Sequence, residues 1–60
     1  MANTIHYDAR DTLANLRIAI ATNDAATVKI CDRELQEMND TYMYLLLTPE
    51  EFESFCRLGA

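Results

Sequence analysis

The amino-acid sequence predicts an all-α protein, and three observations lead to that expectation. Apolar residues recur at alternating spacings of three and four, the pattern of helices that bury one face. Pro49 and Gly59 are the only proline and glycine, so the chain has few residues suited to the turns of a β fold. Half of the residues are hydrophobic, which argues against disorder. We therefore expect one small helical domain over residues 1–60.

The first helix is predicted over about residues 8–21. Asp8 is a suitable N-cap because a carboxylate can accept hydrogen bonds from the free N–H groups of a first turn, and Thr4 is the competing cap. Ile18 lies nearly opposite the apolar seam of this helix, on a second face shared with small alanines, so we expect it to be exposed. The seam residues are Ala9, Leu13, Leu16 and Ile20.

The second helix is predicted over about residues 24–47, after a turn at residues 22–24. A link this short predicts an antiparallel helical hairpin whose two seams face each other. Asn39 and Asp40 offer a possible interruption, since both residue types favour caps over helix interiors. The heptad phase continues past them, however, and favours one continuous helix. Its seam residues are Val28, Cys31, Leu35, Met38, Tyr42 and Leu45.

A short third helix is predicted over about residues 49–58. Thr48 and Glu51 are spaced as a capping box, and Pro49 suits the first helical position. Gly59 suits the C-terminal cap. Phe52, Phe55 and Leu58 share one face, which we expect to cover the apolar end of the second helix.

The small size of the chain predicts self-association. Domains below roughly 70–80 residues usually need disulfides, a metal, oligomerisation or very good helix packing. The hairpin alone cannot cover the apolar surplus of Ile18, Met43, Tyr44 and Leu47. We therefore expect a helical-bundle homodimer built from two hairpins.

The charge balance excludes several classes of partner. The formal net charge of −5 disfavours direct binding to nucleic acid and to an anionic membrane surface. No apolar run approaches the roughly 18–20 residues of a membrane span. No signal-peptide pattern is visible either, so the cytoplasm is the expected location.

The sequence carries no pattern of catalytic or metal-ligating residues. His6 is the only histidine, and no nucleophile lies at a defined spacing from it, so we expect no enzyme and no cofactor. Cys31 falls on the seam and should behave as a small apolar residue. A Cys31–Cys56 disulfide and a zinc site of His6 with both cysteines are weaker alternatives, because paired ligand spacing is absent.

The expected function is therefore that of a non-catalytic protein-binding module, an inhibitor or regulator of a larger protein complex. Tyrosine and methionine are enriched at protein interfaces because they give large, adaptable contact areas. The candidate apolar interface consists of Ile18, Tyr42, Met43, Tyr44 and Leu47.

Acidic mimicry of nucleic acid is the alternative function. Small acidic helical proteins can present carboxylates to a basic cleft, with salt-sensitive association. In size and charge alone the chain resembles the inhibitors that bacterial viruses encode against host defence (anti-CRISPR, anti-restriction) or transcription. The candidate residues are Asp32, Glu34, Glu37 and Asp40, although the pairs Lys29–Asp32 and Arg33–Glu37 would make this an ordinary solvated face. A purely structural oligomerisation domain is the second alternative.

Overall fold

A computed structural model describes residues 8–59, which form three α-helices and one 3₁₀ helix with no β-strand among them. Helix α1 spans Ala9–Ala21 and helix α2 spans Ala25–Glu37. The 3₁₀ helix spans Thr41–Leu46, and helix α3 spans Pro49–Gly59. The predicted all-α class is confirmed for this part of the chain. Expectations that concern Thr4 and His6 lie outside the described residues.

Helix α1 begins and packs as its sequence predicts. The backbone N–H of Arg10 donates to Asp8 Oδ1 at 2.9 Å, so Asp8 is the N-cap. The predicted seam is buried at Leu13, Leu16 and Ile20. Two further buried residues, Thr12 and Ala19, widen that face, and α1 consequently packs against α2 and also against α3.

A left-handed residue, Asn23, ends α1 and turns the chain into α2. Its φ of 57° is tolerated by asparagine better than by most residues. The Asn23 N–H donates to Ile20 O at 3.2 Å, and the Asp24 N–H donates to Ala19 O at 2.8 Å, which together form a Schellman motif. Asp24 then caps α2 by accepting from the Thr27 hydroxyl at 2.6 Å and the Thr27 N–H at 3.2 Å. These hydrogen bonds lower the pKa of Asp24.

The second helix is not continuous to Leu47, so that prediction is wrong. Helix α2 ends at Glu37, and Asn39 adopts a left-handed φ of 56°. The Asn39 N–H donates to Gln36 O at 3.0 Å, and the Asp40 N–H donates to Leu35 O at 3.0 Å. This is the same Schellman motif that ends α1, built on the same Asn-Asp dipeptide. The motif provides hydrogen bonds for the free backbone carbonyls at the end of the helix, whereas the heptad pattern describes only the spacing of apolar side chains.

The predicted seam of the second helix consequently holds only in its first half. Val28, Cys31 and Leu35 are buried, which confirms them as core residues. Past the turn, Tyr42 is 61% exposed and Leu45 is 76% exposed. In their place, Met43 and Leu47 enter the core, and Met38 and Tyr44 pack against it partly buried.

The predicted capping box at the start of α3 is confirmed. The Glu51 N–H donates to Thr48 Oγ1 at 3.1 Å, and the Thr48 N–H donates to Glu51 Oε1 at 2.9 Å. Phe55 and Leu58 pack against the core as expected. The predicted third member of that face, Phe52, is instead exposed at the edge of the helix, where its ring centroid lies 6.0 Å from that of Phe55.

The two cysteines are both free, so the alternative of a Cys31–Cys56 disulfide does not hold in this structure. Cys31 lies on α2 and is buried in the core, whereas Cys56 lies on α3 and is exposed. Burial raises the pKa of the Cys31 thiol, and the charges of Glu34 and Asp24 raise it further. Cys31 therefore stays a neutral thiol at pH 7 and serves packing, because only the thiolate is a good nucleophile.

The buried side of α2 should dominate stability. Replacing Leu35, which is fully buried, by alanine leaves a cavity and should lower the free energy of unfolding by about 2–5 kcal/mol. Ile30→Ala on the same helix is the matched control, because Ile30 is 50% exposed and should cost well under half as much. Urea denaturation followed by circular dichroism measures both. Equal losses for the two variants would contradict this packing.

Candidate functional site

The structure divides the predicted apolar interface between the surface and the core. Ile18 on α1 and Tyr42 on the 3₁₀ helix are exposed, as an interface requires. Met43 and Leu47 are buried among core residues, so the expectation that they lie on a binding surface is wrong for the folded chain. Tyr44 is neither exposed nor fully buried, because its ring packs partly buried against Phe55 of α3. The cause is the turn at Asn39, which ends α2 and directs the chain back so that Met43 and Leu47 reach the core.

Two side chains on the same side of the 3₁₀ helix form an exposed apolar ridge. Side chains three apart in a 3₁₀ helix point in the same direction, and Tyr42 and Leu45 have that spacing. Their exposed fractions of 61% and 76% are large for side chains of this size. Leu46 and Phe52 are further exposed hydrophobic residues that the interface prediction did not include. The spacing of Tyr42 and Leu45 also fits the heptad that predicted them as buried, so it could not have identified them as exposed.

Arg17 fixes the end of the 3₁₀ helix against α1, and nothing in the sequence pattern singled it out. Its Nη2 donates to the carbonyl oxygen of Leu46, and its Nε lies 3.3 Å from Glu51 Oε1. The same Glu51 carboxylate accepts the Thr48 N–H of the capping box. That backbone hydrogen bond and the Arg17 charge lower the pKa of Glu51. Ile18 follows Arg17 on the same helix and is exposed.

Tyr44 fixes the other side of the segment against α2. Its hydroxyl donates a hydrogen bond to Asp32 Oδ1 and lies 3.3 Å from the Asp32 carbonyl oxygen. Its ring centroid lies 5.3 Å from that of Phe55 at an interplanar angle of 45°, so it also contacts α3. Burial raises the Tyr44 pKa, and the hydrogen bond and negative charge of Asp32 add to that effect. Tyr44 therefore acts as a structural link between three elements.

The four predicted acidic residues do not present one continuous surface. Asp32 is partly buried and accepts hydrogen bonds from Tyr44 and, at 3.3 Å, from Gln36 Nε2. At about 100° per residue, Glu34 lies about 160° around α2 from Asp32, on the other side of the buried face. Glu37 is exposed, and Asp40 lies beyond the end of the helix. The carboxylate of Asp32 is thus committed to the fold.

The predicted ion pairs Lys29–Asp32 and Arg33–Glu37 are absent from the structure. Arg17–Glu51 is the only salt bridge among residues 8–59. Asp32 is bonded instead by uncharged donors, and Lys29, Arg33 and Glu37 are exposed, where pairing of charges gains little against side-chain entropy.

The described residues offer neither a metal site nor a ligand cavity. Within residues 8–59, no three His, Cys, Asp or Glu side chains are grouped as metal ligands. No pocket for a small molecule opens in this part of the chain. None of the described helices combines the length and apolar character that crossing a membrane requires.

Comparison with known proteins adds no relative. The chain matches no protein-family model, no curated protein sequence and no solved structure. The exposed surface of the 3₁₀ helix is therefore interpreted from its own geometry and chemistry.

The Tyr44–Asp32 hydrogen bond should be visible in the alkaline stability of the protein. Because the Tyr44 pKa is raised in the folded state, the folded chain holds this proton after the unfolded chain has lost it. The free energy of unfolding should therefore fall as pH rises above about 10, the ordinary tyrosine value. Tyr44→Phe should lose about 1 kcal/mol at pH 7 and show less of this alkaline loss.

The matched control for that experiment is Tyr42→Phe, since Tyr42 is exposed. We expect this variant to keep the stability and the alkaline loss of the unmodified chain, as measured by urea denaturation between pH 7 and pH 11. An alkaline loss that persists unchanged in Tyr44→Phe would show that the Tyr44 hydroxyl does not make this contribution.

Proposed function

We propose that this chain is a small acidic, non-catalytic protein-binding module that acts in the cytoplasm as an inhibitor or regulator of a larger protein complex. The observation that carries the proposal is the exposed ridge of Tyr42 and Leu45. Large exposed apolar side chains that lie together mark interaction surfaces, and aromatic residues are enriched at the centres of such surfaces. Ile18, 62% exposed on α1, is the third residue that we assign to the contact.

The anchoring of the ridge supports this proposal. Tyr44 binds Asp32 on one side of the segment, and Arg17 binds the Leu46 carbonyl on the other. A segment held in this way loses little conformational entropy when a partner binds, so more of the contact energy remains as affinity. Tyr44 supplies the anchor, and the neighbouring Tyr42 is free to supply the contact.

The charges around the ridge indicate the chemistry of the partner. Asp40 precedes the 3₁₀ helix and Glu50 follows it, within a chain whose net charge is −5. A complementary surface would have an apolar centre and basic residues at its rim. Such charges increase the association rate and depend on salt, whereas the apolar centre determines most of the affinity.

Acidic mimicry of nucleic acid remains the competing function, and the net charge of −5 is the observation that favours it. The geometry gives it less support because Asp32 is engaged by Tyr44, and Glu34 lies on the far side of the buried face. A mimic of a duplex needs carboxylates in a continuous row, because the phosphates of a duplex form such a row.

Self-association is the second part of the proposal. We propose that α1 and α2 form an antiparallel hairpin, and that two hairpins assemble as a homodimer. The three-residue link at 22–24 and the shared core of α1 and α2 support the hairpin. The short chain and the exposed ridge support the dimer, because a domain of this size owns little core. If no other partner exists, the same surfaces would serve a purely structural oligomerisation domain.

The test of the binding proposal is retention of a partner from a bacterial lysate by the tagged chain and two variants. Tyr42→Asp and Leu45→Asp place a charge on the ridge without touching the core, whereas Tyr44→Asp would also break the fold. We expect the unmodified chain to retain a specific protein at high salt. Either ridge variant should retain at least tenfold less of that protein. Glu37→Gln is the matched control, because it removes an exposed carboxylate and should retain the partner.

The opposite pattern would contradict the ridge. Release of a nucleic-acid-binding protein by moderate salt or by added DNA, with Glu37→Gln weaker than Tyr42→Asp, would support mimicry instead. Circular dichroism of each variant must match that of the unmodified chain, so that loss of binding is not loss of fold.

A further inference from the structure

The apolar spacing of α2 continues beyond the point where the helix ends. Leu35 and Met38 are followed at the same three-four alternation by Tyr42 and Leu45, which the folded chain leaves exposed. The segment also buries Met43 and Leu47 on a different side. Residues 42–47 therefore carry two apolar faces, and the folded single chain covers only one of them.

Two residues with non-helical backbone angles, Asn39 and Asp40, separate α2 from this segment, since Asp40 has a φ of −113° and a ψ of 71°. Asn39 has a φ of 56°, and the Asp40 side chain makes no capping hydrogen bond. The following 3₁₀ helix is six residues long, and 3₁₀ helices longer than three or four residues are uncommon because their hydrogen-bond geometry is poor. Its backbone angles are close to those of an α-helix. If Asn39 and Asp40 both took helical angles, α2 and the 3₁₀ helix would be aligned as one rod.

The contacts that hold residues 41–59 against the rest of the chain can form equally well between two copies. Tyr44 reaches Asp32 on α2, and Arg17 on α1 reaches Leu46 and Glu51. None of these contacts depends on the link at residues 38–40. The internal capping box of Thr48 and Glu51 lies wholly within the segment and would move with it.

We infer that two copies of this chain exchange residues 41–59 through a hinge at Asn39, so that the 3₁₀ helix and α3 of each copy pack on α1 and α2 of the other. The exchanged dimer keeps the contacts of Tyr44, Arg17 and Glu51 with α1 and α2, gives up the two hydrogen bonds of the Schellman motif at Asn39 and Asp40, and relieves the left-handed residue. It also aligns Tyr42 and Leu45 with the seam of α2, where the rod of the second copy can cover them. This inference rests on the homodimer proposed above and specifies how it is built. Exchange of identical elements is a general route to dimers.

The other Asn-Asp turn provides a built-in control. Asn23 has the same left-handed conformation and the same Schellman hydrogen bonds as Asn39. The apolar phase does not continue across it, however, because Ile20 and Val28 are eight residues apart and break the three-four alternation. Straightening the chain at Asn23 would therefore gain no continuous seam.

The first experiment measures mass against concentration for hinge variants by light scattering after size exclusion. Asn39→Ala disfavours the left-handed turn and should raise the dimer fraction at a given concentration at least several-fold. Asn39→Gly favours the turn and should lower it by a similar factor. Asn23→Ala should destabilise the fold without raising the dimer fraction. Identical dimer fractions for Asn39→Ala and Asn39→Gly would overturn the exchange.

The second experiment uses the Arg17–Glu51 pair to distinguish exchanged from unexchanged dimers. A chain with Arg17→Glu and a chain with Glu51→Arg each carry like charges at this contact when folded alone. In an exchanged heterodimer both contacts pair opposite charges. After the two chains are refolded together, native mass spectrometry should show heterodimers above the one-half expected by chance.

The outcomes separate this inference from the proposal on which it rests. Heterodimers at one-half or below, in a protein that is dimeric, would overturn the exchange and leave the homodimer standing. A mass of one chain for the unmodified protein and for Asn39→Ala, up to millimolar concentration, would overturn both. Because the exchanged dimer would cover Tyr42 and Leu45, retention of another partner by these residues is measured separately, at a concentration where the chain has the mass of one copy.

Discussion

The left-handed turn at Asn39 is the constraint on which the rest of this fold depends. It stops α2 at Glu37 and directs the chain back, so that Met43 and Leu47 reach the core formed by α1 and α2. Asparagine adopts this conformation at low cost, and two backbone hydrogen bonds to Gln36 and Leu35 offset what the helix loses by ending. In a single chain without the turn, the fully buried Leu35 would lose part of its cover.

Two polar side chains then hold the returning segment in place. Arg17 binds the Leu46 carbonyl and Glu51, and Tyr44 binds Asp32 while its ring contacts Phe55. Four of the ten acidic residues accept structural hydrogen bonds: Asp8 and Asp24 cap helices, and Asp32 and Glu51 hold the returning segment. The apolar ridge of Tyr42 and Leu45 is not covered by the fold of the single chain, and it is therefore the feature that most needs a functional explanation.

The sequence predicted the parts of this fold that depend on local capping and on the spacing of large apolar residues. The start of α1 at Asp8, its seam, the capping box at Thr48 and the burial of Cys31 all follow from such signals. The end of α2 was missed because heptad spacing records where apolar residues fall and not which backbone conformation each residue accepts. The same dipeptide at Asn23 is predicted as a turn, because asparagine tolerates the left-handed conformation and asparagine or aspartate caps the helix that follows.

The candidate site was predicted less well than the helices. Ile18 is exposed as expected, and Tyr42 is exposed although the heptad pattern had also placed it on the seam of the second helix. Met43 and Leu47 lie in the core because the turn at Asn39 directs the chain back. Arg17 could not be found from the sequence, because its role depends on a carbonyl group 29 residues away that only the tertiary fold brings near. Asp32 was assigned to an acidic surface for the same reason, since its partner Tyr44 is 12 residues away.

The most direct test of this account is a backbone NMR assignment of residues 36–48, on a sample dilute enough to have the mass of one chain. We expect helical chemical shifts that end at Met38, a positive φ at Asn39 from scalar couplings, and nuclear Overhauser contacts between the rings of Tyr44 and Phe55. Uninterrupted α-helical shifts from Ala25 to Leu47, with no contact between those rings, would contradict the account.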